Sequence, residues 1–598
     1  MKAINGVSRR AFLGLGATAA AGAAAIGLIG CSPKADSKSS TTDSASGNTS
    51  DSTPSFLQKP ETIPASDIKE TVDVDIVIIG AGMSGMSATR SAIESGVAGE
   101  KIAVIEKGES FQVRSNQIAS CGGQIQEALG IKVDKAAVTG SIMKECGYRP
   151  KMPIIKLWAD NSAEALDWYL SASEGQYSTG TEGDPYDGTS MSVRKMHWPH
   201  PADANIENDW YDLYDVCQIC LPTHAPYMKN VYDICVAGGV NFMFSTWARQ
   251  LIREDGGRVT GVIVEDADGN YKQINAAKAV LLATGDYASN REMLEYYQPW
   301  ATRYNSIFPN TDAKGEKTNT GDGQQMGMWI GAKMEDGPHA PMVHNMFGPL
   351  GCDAFLLVDI EGDRVMNEDV GGTYIQAQIA RARENMLWRV WDSKWPEQIG
   401  HMDTGHGNVN WLVNSGSEVP NGSYGRSAYI ALDESSEDGN TASYNSYFAE
   451  GTPTPNKQGV KCDTLEELAE KMGVDADKFA ATIARYNELA HNGKDEDFGK
   501  RADRLFPIEE GPFFAFPITN CNILVTLGGL ETTVDFEVLD TEDKVIDGLY
   551  AVGNTQGGRF LVDYPLPAPG ASHGFALTHG MLVGRMLAKL EQLAASQT

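Results

Sequence analysis

The chain has 598 residues, of which 42% are hydrophobic, and it carries a formal net charge of −30 at pH 7. This length is sufficient for two or more domains with large cores, and no segment after the N-terminal leader is long and apolar enough to cross a bilayer. The strongly acidic balance argues against nucleic acid as a partner, because surfaces that bind nucleic acid are basic.

The first 30 residues have the features of an export signal. Ser8-Arg9-Arg10-Ala11-Phe12-Leu13 places twin arginines before an Ala- and Gly-rich apolar run, which is typical of a twin-arginine signal peptide. The run ends in Leu28-Ile29-Gly30-Cys31, which resembles a bacterial lipobox whose cysteine is lipidated. We therefore expect residues 1–30 to be removed and Cys31 to anchor the chain outside the cytoplasm. An ordinary N-terminal membrane anchor is the alternative.

Residues 31–70 are predicted to form a flexible tether. Twelve of the 23 residues from 32 to 54 are Ser or Thr, and large apolar residues are almost absent there. Such a segment cannot bury enough surface to offset the entropy that is lost on ordering. It would hold the folded part at some distance from a membrane.

Residues 74–107 have the order strand, glycine-rich turn, helix, strand and acid, which is typical of a dinucleotide-binding unit. Gly80 permits the tight turn, Gly82 allows a pyrophosphate to approach the backbone, and Gly85 allows the helix to pack closely. The helix start directs N–H groups and its positive dipole end at the phosphates, and Glu106 can accept ribose hydroxyls. A glycine-rich turn that binds nothing is the alternative. The contacts predicted here are Gly80, Gly82, Met83, Ser84, Gly85, Glu106 and Lys107.

The nine cysteines are irregularly spaced and do not indicate a disulfide framework. Cys217-Gln-Ile-Cys220 is a CxxC pair, but Leu221 follows where c-type haem attachment needs His. One alternative is a redox disulfide between these two cysteines. Another is a metal or iron–sulfur cluster with Cys235 as third ligand, although no fourth ligand is near in sequence. We favour buried, small apolar cysteines and expect no metal site. The segment 195–235 is rich in Trp and Tyr, and it either lines a large apolar pocket or pads the fold.

Later segments are predicted to return to the nucleotide site. An apolar strand ends in Ala283-Thr284-Gly285, and Thr320-Gly321-Asp322-Gly323 precedes a helix. Another strand ends in Gly553-Asn554, and Pro569-Gly570-Ala571-Ser572-His573 opens the last helix, whose N-terminus can stabilise negative charge on a bound cofactor. The contacts predicted here are Ala283, Thr284, Gly285, Asp322, Gly553, Asn554, Gly570, Ala571 and Ser572.

From about residue 72 to the C-terminus the chain resembles the flavoprotein superfamily of soluble fumarate reductases, urocanate reductases and 3-ketosteroid dehydrogenases. The resemblance implies an α/β fold, with a Rossmann-like FAD-binding domain around a central parallel sheet built from residues 71–350 and 506–598. It also implies an inserted, mobile α+β cap domain, residues 351–505, which closes over the flavin. Arg364-Val-Met-Asn-Glu368 matches the turn that opens this cap.

Asn116-Gln-Ile-Ala-Ser120-Cys121-Gly122-Gly123 matches the segment that crosses beside the flavin in that superfamily. Membrane-bound members have a flavin-linking His at the position of Asn116, so its replacement implies noncovalent FAD. Asn554 matches an acidic or amide contact to the ribityl chain. Ser120, Gly122 and Gly123 are expected to contact the cofactor, and Cys121 to pack beside the ring.

The positions that serve fumarate in the superfamily are replaced in this chain. Gly372 stands at the position of the proton-donating Arg, and Val525 and Pro567 stand at those of the His and Arg that clamp a dicarboxylate. Without these cations a small dianion would be buried unpaired, which is very unfavourable. We therefore expect fumarate not to be the substrate.

The run from Tyr564-Pro565 to Gly570 resembles the ketosteroid dehydrogenase branch, in which a Tyr hydroxyl and a Gly N–H bind the substrate carbonyl. Two extra residues separate Tyr564 from Gly570 here. Tyr374 is the Tyr nearest to the position of the proton donor. We predict Tyr564 and Gly570 as carbonyl donors and Tyr374 as proton donor, with simple packing as the alternative for each Tyr.

Three histidines and one arginine are further candidates for proton transfer. His339, His344 and His573 are alternative proton carriers, although a lone His is more often structural. Arg364 is expected to be a structural turn arginine rather than an acid.

These parts predict an FAD-dependent reductase in which hydride passes from flavin N5 to the β-carbon of an α,β-unsaturated carbonyl compound, such as a steroid or a plant phenolic. Electrons are expected from a separate membrane cytochrome, because the chain has no haem motif. One alternative is a 3-ketosteroid-type dehydrogenase that uses the same residues in the desaturating direction. Another is a flavin electron carrier without its own small-molecule substrate.

Overall fold

A computed structural model describes residues 53–179, 189–195, 214–254, 256–299, 301, 305–306, 309–343, 354–370, 372–398, 459–518, 522–565 and 567–596. The strands are β1 (Ile68–Ile79), β2 (Ile102–Ile105), β3 (Gln117–Ala119), β4 (Ser178–Thr179), β5 (Ser192–Lys195), β6 (Cys217–Leu221), β7 (Asn241–Met243), β8 (Trp247–Arg253), β9 (Val259–Glu265), β10 (Tyr271–Leu282), β11 (Asn305–Ser306), β12 (Pro341–Val343), β13 (Leu356–Val358), β14 (Leu387–Trp391), β15 (Val460–Cys462), β16 (Phe513–Ile518), β17 (Asn522–Thr526), β18 (Glu537–Leu539) and β19 (Val545–Ala551). The helices are α1 (Met83–Glu94), α2 (Gln124–Ala128), α3 (Lys135–Glu145), α4 (Met152–Ser171), α5 (Ala225–Ala237), α6 (Arg291–Tyr297), α7 (Asp322–Trp329), α8 (Gly372–Ile379), α9 (Trp395–Gln398), α10 (Leu465–Met472), α11 (Ala476–His491) and α12 (Ala571–Ser596).

The largest sheet has the strand order β18-β19-β10-β1-β2-β7 and is parallel from β19 to β7. β1 contains the apolar strand predicted before the glycine turn, and β2 covers the predicted second strand. The antiparallel strand β18 covers one edge, and the hairpin β8–β9 is joined through β9 to β10. The predicted central parallel sheet and the α/β fold class are confirmed.

Alternate residues of β1 face two different cores, because successive side chains of a strand point to opposite sides of the sheet. Ile76 and Ile78 join the core formed with α1 and α12, whereas Val77 and Ile79 join the core on the β8–β9 side. The sheet is therefore buried on both faces, which explains why β1 ends in an unbroken apolar run.

Helix α12 packs directly along α1. A Cβ at Gly580 would lie 2.5 Å from the carbonyl oxygen of Ser84, and one at Gly584 would lie 2.4 Å from that of Ala88. Only glycine permits so close an approach. Both pairs advance by four residues, so the two helices run in the same direction and their N-termini point to the same end of the sheet.

The inserted region forms a separate antiparallel sheet with the order β13-β14-β16-β15. Helices α10 and α11 cover it, with Leu468, Phe479 and Ile483 in the shared core. The sheet and its helices match the predicted α+β content of the cap. Strand β16 pairs with β14 and β15 and so belongs to this sheet, although it lies after residue 505, the predicted end of the cap.

Residues 54–67, which the sequence assigned to the tether, pack against the folded body. Phe56 is buried beside Tyr296 and Tyr297, and its carbonyl oxygen accepts a hydrogen bond from Trp329 Nε1 at 2.8 Å. The Ser- and Thr-rich composition ends at residue 53, and the apolar residues that follow supply surface for burial. β1 begins at Ile68, ahead of the predicted domain start at residue 71.

Cys217 and Cys220 lie on β6 and are buried without a disulfide bond. Residues three apart on a strand point to opposite faces, so these two do not form the disulfide considered for the CxxC pair. Cys235 is buried in α5, also without a disulfide bond. Within the described ranges no His, Cys, Asp or Glu group could hold a metal ion, and no helix there is long and apolar enough to cross a membrane.

Candidate active site

A cavity opens at the carboxyl ends of β1, β2 and β10, between the N-termini of α1 and α12. Its empty volume is about 1420 Å³, including the part open to solvent. This position beyond the strand ends is where doubly wound folds bind dinucleotides. The predicted residues on its wall are Gly80, Gly82, Met83, Ser84, Glu106, Lys107, Ala283, Thr284, Gly285, Asp322, Gly553, Asn554, Tyr564, Gly570 and Ser572.

The glycine loop has the geometry expected for close contact with a phosphate. Gly80 has φ +107°, and a Cβ there would lie 2.3 Å from the Ala283 carbonyl oxygen. Gly82 lines the cavity and has no atom within 4 Å of a Cβ position, so a side chain there would occupy the ligand's space. Gly82 also caps α1 without a side-chain hydrogen bond, which leaves the first helical N–H groups for an anion.

Gly85 allows close packing, as predicted, but it does not line the cavity. A Cβ at Gly85 would lie 1.9 Å from the carbonyl oxygen of Gly80. Gly85 therefore packs against the turn itself rather than lining the cavity, and its small size keeps the loop folded onto the start of the helix.

The acid after β2 is held in place by the loops around it. Glu106 accepts hydrogen bonds from the backbone N–H groups of Ala81 at 2.9 Å and Gly108 at 2.7 Å. Burial raises the pKa of Glu106, although both N–H groups and Lys107 lower it. Lys107 Nζ pairs with Asp322 Oδ2 at 2.7 Å. These contacts fix the Glu106 carboxyl group on the cavity wall.

The side-chain amide of Asn554 is oriented by two donors. Its Oδ1 accepts hydrogen bonds from Arg559 Nη2 and from Ser572 Oγ, both at 3.1 Å. Because Arg only donates, this fixes which amide atom faces Arg559 and leaves Nδ2 as the donor toward a ligand. Arg559 is fully buried, and burial lowers its pKa to about 10.

Tyr564 lies at the N-terminus of α12 with its side chain 1% exposed. Its phenol oxygen accepts a hydrogen bond from the Ser572 N–H at 3.3 Å. Burial raises the pKa of Tyr564, although the N–H groups of Ser572 and Ala571 lower it. The phenol therefore stays protonated near neutral pH, and helix N–H groups polarise the O–H toward donation.

Gly570 stands beside Tyr564 on the cavity wall. It has φ +80°, and a Cβ there would lie 2.9 Å from the backbone nitrogen of Ile118. Its carbonyl oxygen accepts from the Ala119 N–H at 3.1 Å, and its own N–H forms no hydrogen bond with the residues that are described. Tyr564 and Gly570 thus form a pair of donors on one wall, despite the two extra residues between them.

The segment predicted to cross beside the flavin lies mostly behind the cavity wall. Asn116 is buried, and Cys121 packs in the core that contains Trp158 while its N–H donates to Ser162 Oγ at 2.8 Å. The cause is strand β3, which pairs with β6 and turns this segment into the fold. The predicted contacts that lie off the cavity wall are Gly85, Asn116, Ser120, Cys121, Gly122, Gly123 and Ala571.

Arg114 and Asp286 are cavity residues that the sequence reasoning missed. Arg114 Nη1 lies 3.6 Å from Asp286 Oδ2, and Arg114 Nη2 donates to the Leu524 carbonyl at 2.7 Å. Burial lowers the pKa of Arg114 and raises that of Asp286, while each charge opposes the other's shift. Asp286 directly follows the Ala-Thr-Gly turn, so its position next to a recognised motif was a usable signal.

The alternative proton carriers have different surroundings. His339 does not line the cavity, and both of its ring nitrogens are engaged, Nδ1 with the Tyr287 hydroxyl at 2.6 Å and Nε2 with the Glu335 carbonyl at 2.8 Å. His573 lines the cavity beside His224, which no motif had indicated. Tyr374 lies in α8 with its side chain outside the described part of the chain, and His344 lies outside the described residues.

The two basic side chains Lys107 and Arg114 among the described lining residues are both paired with acids. Among the described lining residues, Lys107 pairs with Asp322 and Arg114 pairs with Asp286. Val525, at the position of the superfamily's His, presents an apolar side chain to the cavity.

Comparison with known proteins gives a consistent picture. A family model described as FAD binding domain matches residues 75–568. A vinyl phenol reductase of Lactiplantibacillus plantarum is 28% identical over 86% of this chain and 96% of its own. A 3-oxosteroid 1-dehydrogenase of Mycolicibacterium smegmatis is 31% identical over 58% of each chain. The solved 3-ketosteroid-Δ4-(5α)-dehydrogenase of Rhodococcus jostii RHA1 has the same fold, with a TM-score of 0.62, 21% identity, and coverage of 88% of this chain and 99% of that one.

Proposed function

We propose that this chain, which belongs to the FAD binding domain family, reduces the conjugated C=C bond of a neutral carbonyl or phenolic compound. The family and the named relatives make it an FAD-dependent oxidoreductase acting on C=C bonds. FAD supplies the hydride when bound. The glycine loop, Glu106 and Asn554 would hold the cofactor through its phosphates and hydroxyls.

The pair formed by Tyr564 and Gly570 carries this proposal. Hydride addition to an enone, or to the quinone methide that forms when a vinyl phenol loses its phenolic proton and is protonated on carbon, places negative charge on the conjugated oxygen. Donors on that oxygen therefore lower the barrier. Tyr564 presents a polarised O–H, and Gly570 presents an N–H without a partner in the described residues. Neither donor is charged, which suits a neutral substrate.

The pairing of the described basic side chains on the wall also supports a neutral substrate. A dianion such as fumarate would need cations that are free to pair with it. The described basic side chains of the wall already pair with Asp322 and Asp286. The neutral surface around Val525 and Met342 would instead accept an aromatic or alicyclic ring.

The similarity to a vinyl phenol reductase over nearly the full length of both chains supports the reducing direction. The similarity to a 3-oxosteroid 1-dehydrogenase supports the alternative, in which the chain desaturates a ketosteroid. Tyr564 and Gly570 serve both directions, because the same enolate forms in each. We place the reductase first and keep the dehydrogenase as the second candidate.

A direct test uses holoprotein that has been reduced anaerobically with a viologen dye. The acceptors are fumarate, urocanate, para-vinyl phenols, cinnamates and enone steroids, with dye oxidation and product mass as readouts. We expect a neutral conjugated alkene to be the best acceptor and its product to gain two hydrogens. Rapid turnover of fumarate, or no reduction of any alkene, would contradict the proposal. Oxidised holoprotein with a saturated ketosteroid and an electron-accepting dye tests the second candidate.

We also propose that the enzyme works outside the cytoplasm, tethered by lipid on Cys31 and supplied with electrons by a separate membrane cytochrome. The twin arginines and the lipobox-like ending support this location. Replacing Arg9 and Arg10 together by Lys should keep the chain in the cytoplasm, whereas Cys31→Ser should release the exported chain from membranes. Normal membrane attachment of both variants would rule this location out.

A further inference from the structure

Two imidazole rings meet on the cavity wall. His224 precedes the first residue of α5, and His573 lies in the first turn of α12. Their ring centroids are 5.3 Å apart with an angle of 55° between the ring planes. Both residues line the cavity, and neither has a role in the glycine loop or in the donor pair.

The tautomer of His224 follows from its one hydrogen bond. Its Nε2 lies 3.5 Å from the backbone carbonyl oxygen of Gln117. A carbonyl only accepts, so Nε2 carries the proton and Nδ1 presents a lone pair when the ring is neutral. Nδ1 is buried and has no hydrogen-bond partner among the described residues. An acceptor buried in this way is costly unless a ligand supplies the donor.

The surroundings keep the two rings neutral. Burial lowers the pKa of His224 to about 3, and His573 adds to that effect. Burial lowers the pKa of His573 to about 4, assisted by the Arg114 charge and opposed by the Gln117 carbonyl. The ring of Tyr169 packs on the other side of His224. The rings therefore act as neutral hydrogen-bonding groups rather than as cations near neutral pH.

We propose that His224, with the ring of His573 packed against it, accepts a hydrogen bond from a weakly acidic N–H or O–H group on a ring that binds in the cavity. Two rings meet this description. One is the flavin, whose imide carries an N–H, and the other is a phenolic substrate, whose O–H would be held by His224 Nδ1. The second source rests on the proposed function, whereas the first requires only FAD.

The phenolic case adds chemistry that Tyr564 alone does not provide. A vinyl phenol becomes reactive when its O–H proton is drawn away, since the ring oxygen then supplies electrons to the terminal alkene carbon and allows that carbon to be protonated. A neutral imidazole with a free lone pair suits this task. The phenol O–H proton moves to Nδ1 while a separate acid protonates the terminal alkene carbon, which leaves a neutral quinone methide. Hydride then adds at the benzylic carbon, and the phenol oxygen takes its proton back from Nδ1.

Ligands whose donor N–H or O–H is replaced by a methylated group test the proposed hydrogen bond to His224 without any change to the protein. Wild-type apoprotein is titrated with FAD and with FAD methylated at the imide nitrogen, following flavin fluorescence. Oxidised holoprotein is titrated with a para-vinyl phenol and its O-methyl ether, following the flavin absorption spectrum. We expect at least one methylated ligand to bind ten or more times more weakly than its parent. Equal affinity in both comparisons would overturn the proposal.

Variants of His224 then show whether the phenol or the flavin imide donates to this residue. His224→Phe removes the acceptor, whereas His224→Asn places an amide oxygen close to the position of Nδ1 and should restore it.

If the phenol is the ligand, His224→Phe abolishes the preference for phenol over ether and leaves FAD affinity unchanged. If the flavin imide is the ligand, His224→Phe weakens FAD binding tenfold or more and shifts the flavin spectrum. A folded His224→Phe protein that changes neither property would overturn the proposal. Absence of turnover with every alkene would contradict the proposed function and leave the FAD titrations interpretable.

Discussion

Tyr564 shows how a single residue acquires its role from the helix that follows it. The phenol alone would be an ordinary buried Tyr, but α12 begins beside it and directs the Ser572 N–H at the phenol oxygen. Because the phenol oxygen accepts that N–H, the O–H proton of Tyr564 remains available to donate to a ligand. The sequence predicted this residue from the Tyr-Pro run, whereas the helix contact depends on the packing of α12 against α1.

Replacing Tyr564 by Phe should lower kcat by about 10²–10³, the usual effect of removing one donor from a developing oxyanion. FAD affinity should stay unchanged, because the ring is retained. Tyr169→Phe is the matched control, since Tyr169 is equally buried and its hydroxyl has no hydrogen-bond partner in the described structure. Single-turnover rates with the best alkene measure both. A Tyr564→Phe enzyme with wild-type kcat would remove Tyr564 from the mechanism.

Gly82 permits a second test at the scale of one residue. Gly82→Ala places a methyl group where the protein has no neighbouring atom but the cofactor phosphates are expected. We expect the variant to fold and to lose FAD affinity by tenfold or more, because the backbone can no longer approach the pyrophosphate. Gly140→Ala in α3, which also has open space around its Cβ position, is the control. Titration of both apoproteins with FAD decides the matter, and unchanged affinity in Gly82→Ala would contradict the placement of the phosphates.

At the scale of elements, the turn at Arg364 joins the start of the cap to the loop after α11. Arg364 forms two hydrogen bonds to Glu368 at 2.9 Å and two to Asp495 at 2.8 and 3.1 Å. Both carboxylate partners have fully buried side chains, and the rings of Tyr486 and Phe498 pack on the guanidinium. This network supports the prediction that Arg364 is structural, because its donors are already occupied.

Arg364→Met should therefore destabilise the protein by about 3–5 kcal/mol, the usual cost of leaving buried charges without their partner. Arg485→Met is the control, since Arg485 makes similar bonds to Asp497 and Glu488 on the exposed surface and should change stability little. Urea unfolding measures both. Hydride transfer by the Arg364→Met protein that remains folded should be near normal, and a loss of 10²-fold or more there would instead make Arg364 catalytic.

Sequence reasoning succeeded where function resides in a continuous segment. The glycine loop, Glu106, Thr284 and Asn554 each follow an apolar strand, so their position at the edge of the parallel sheet could be predicted. His224 and Arg114 could not be identified in this way. His224 reaches the cavity because α5 starts beside α12, and Arg114 is placed by Asp286, 172 residues later in the chain. Cys121 does not line the cavity, and its packing in the core with Trp158 likewise depends on segments that are distant in sequence.

For the whole molecule, buried titratable groups set the dependence of stability on pH. Burial raises the pKa of Glu335 from 4.5 to about 8, so between these values the folded state holds a proton that the unfolded chain releases. Stability from this group is therefore lost as pH rises toward 8. Burial lowers the pKa values of His339 and His573 from 6.5 to about 4, so the stability they contribute is lost as pH falls from about 6.5 toward 4.

Glu335→Gln should flatten the alkaline side of this profile, because the amide cannot ionise. One group changes the folding equilibrium by at most about tenfold for each pH unit, so thermal unfolding of holoprotein at pH 6, 7 and 8 should resolve the difference. Glu542→Gln on the surface should reproduce the wild-type profile. An alkaline slope that is equal in Glu335→Gln and wild type would mean that other groups cause it.

The central claim is that reduced FAD in this protein passes hydride to a neutral conjugated alkene. Stopped-flow reoxidation of two-electron-reduced holoprotein tests it in a single turnover, with a para-vinyl phenol or enone steroid, fumarate and ferricyanide as separate oxidants. We predict rapid reoxidation by the neutral alkene, a rate with fumarate at least 10²-fold lower, and loss of the alkene reaction in Tyr564→Phe. Reoxidation by ferricyanide alone would identify an electron carrier, and faster reoxidation by fumarate would contradict the account of the cavity.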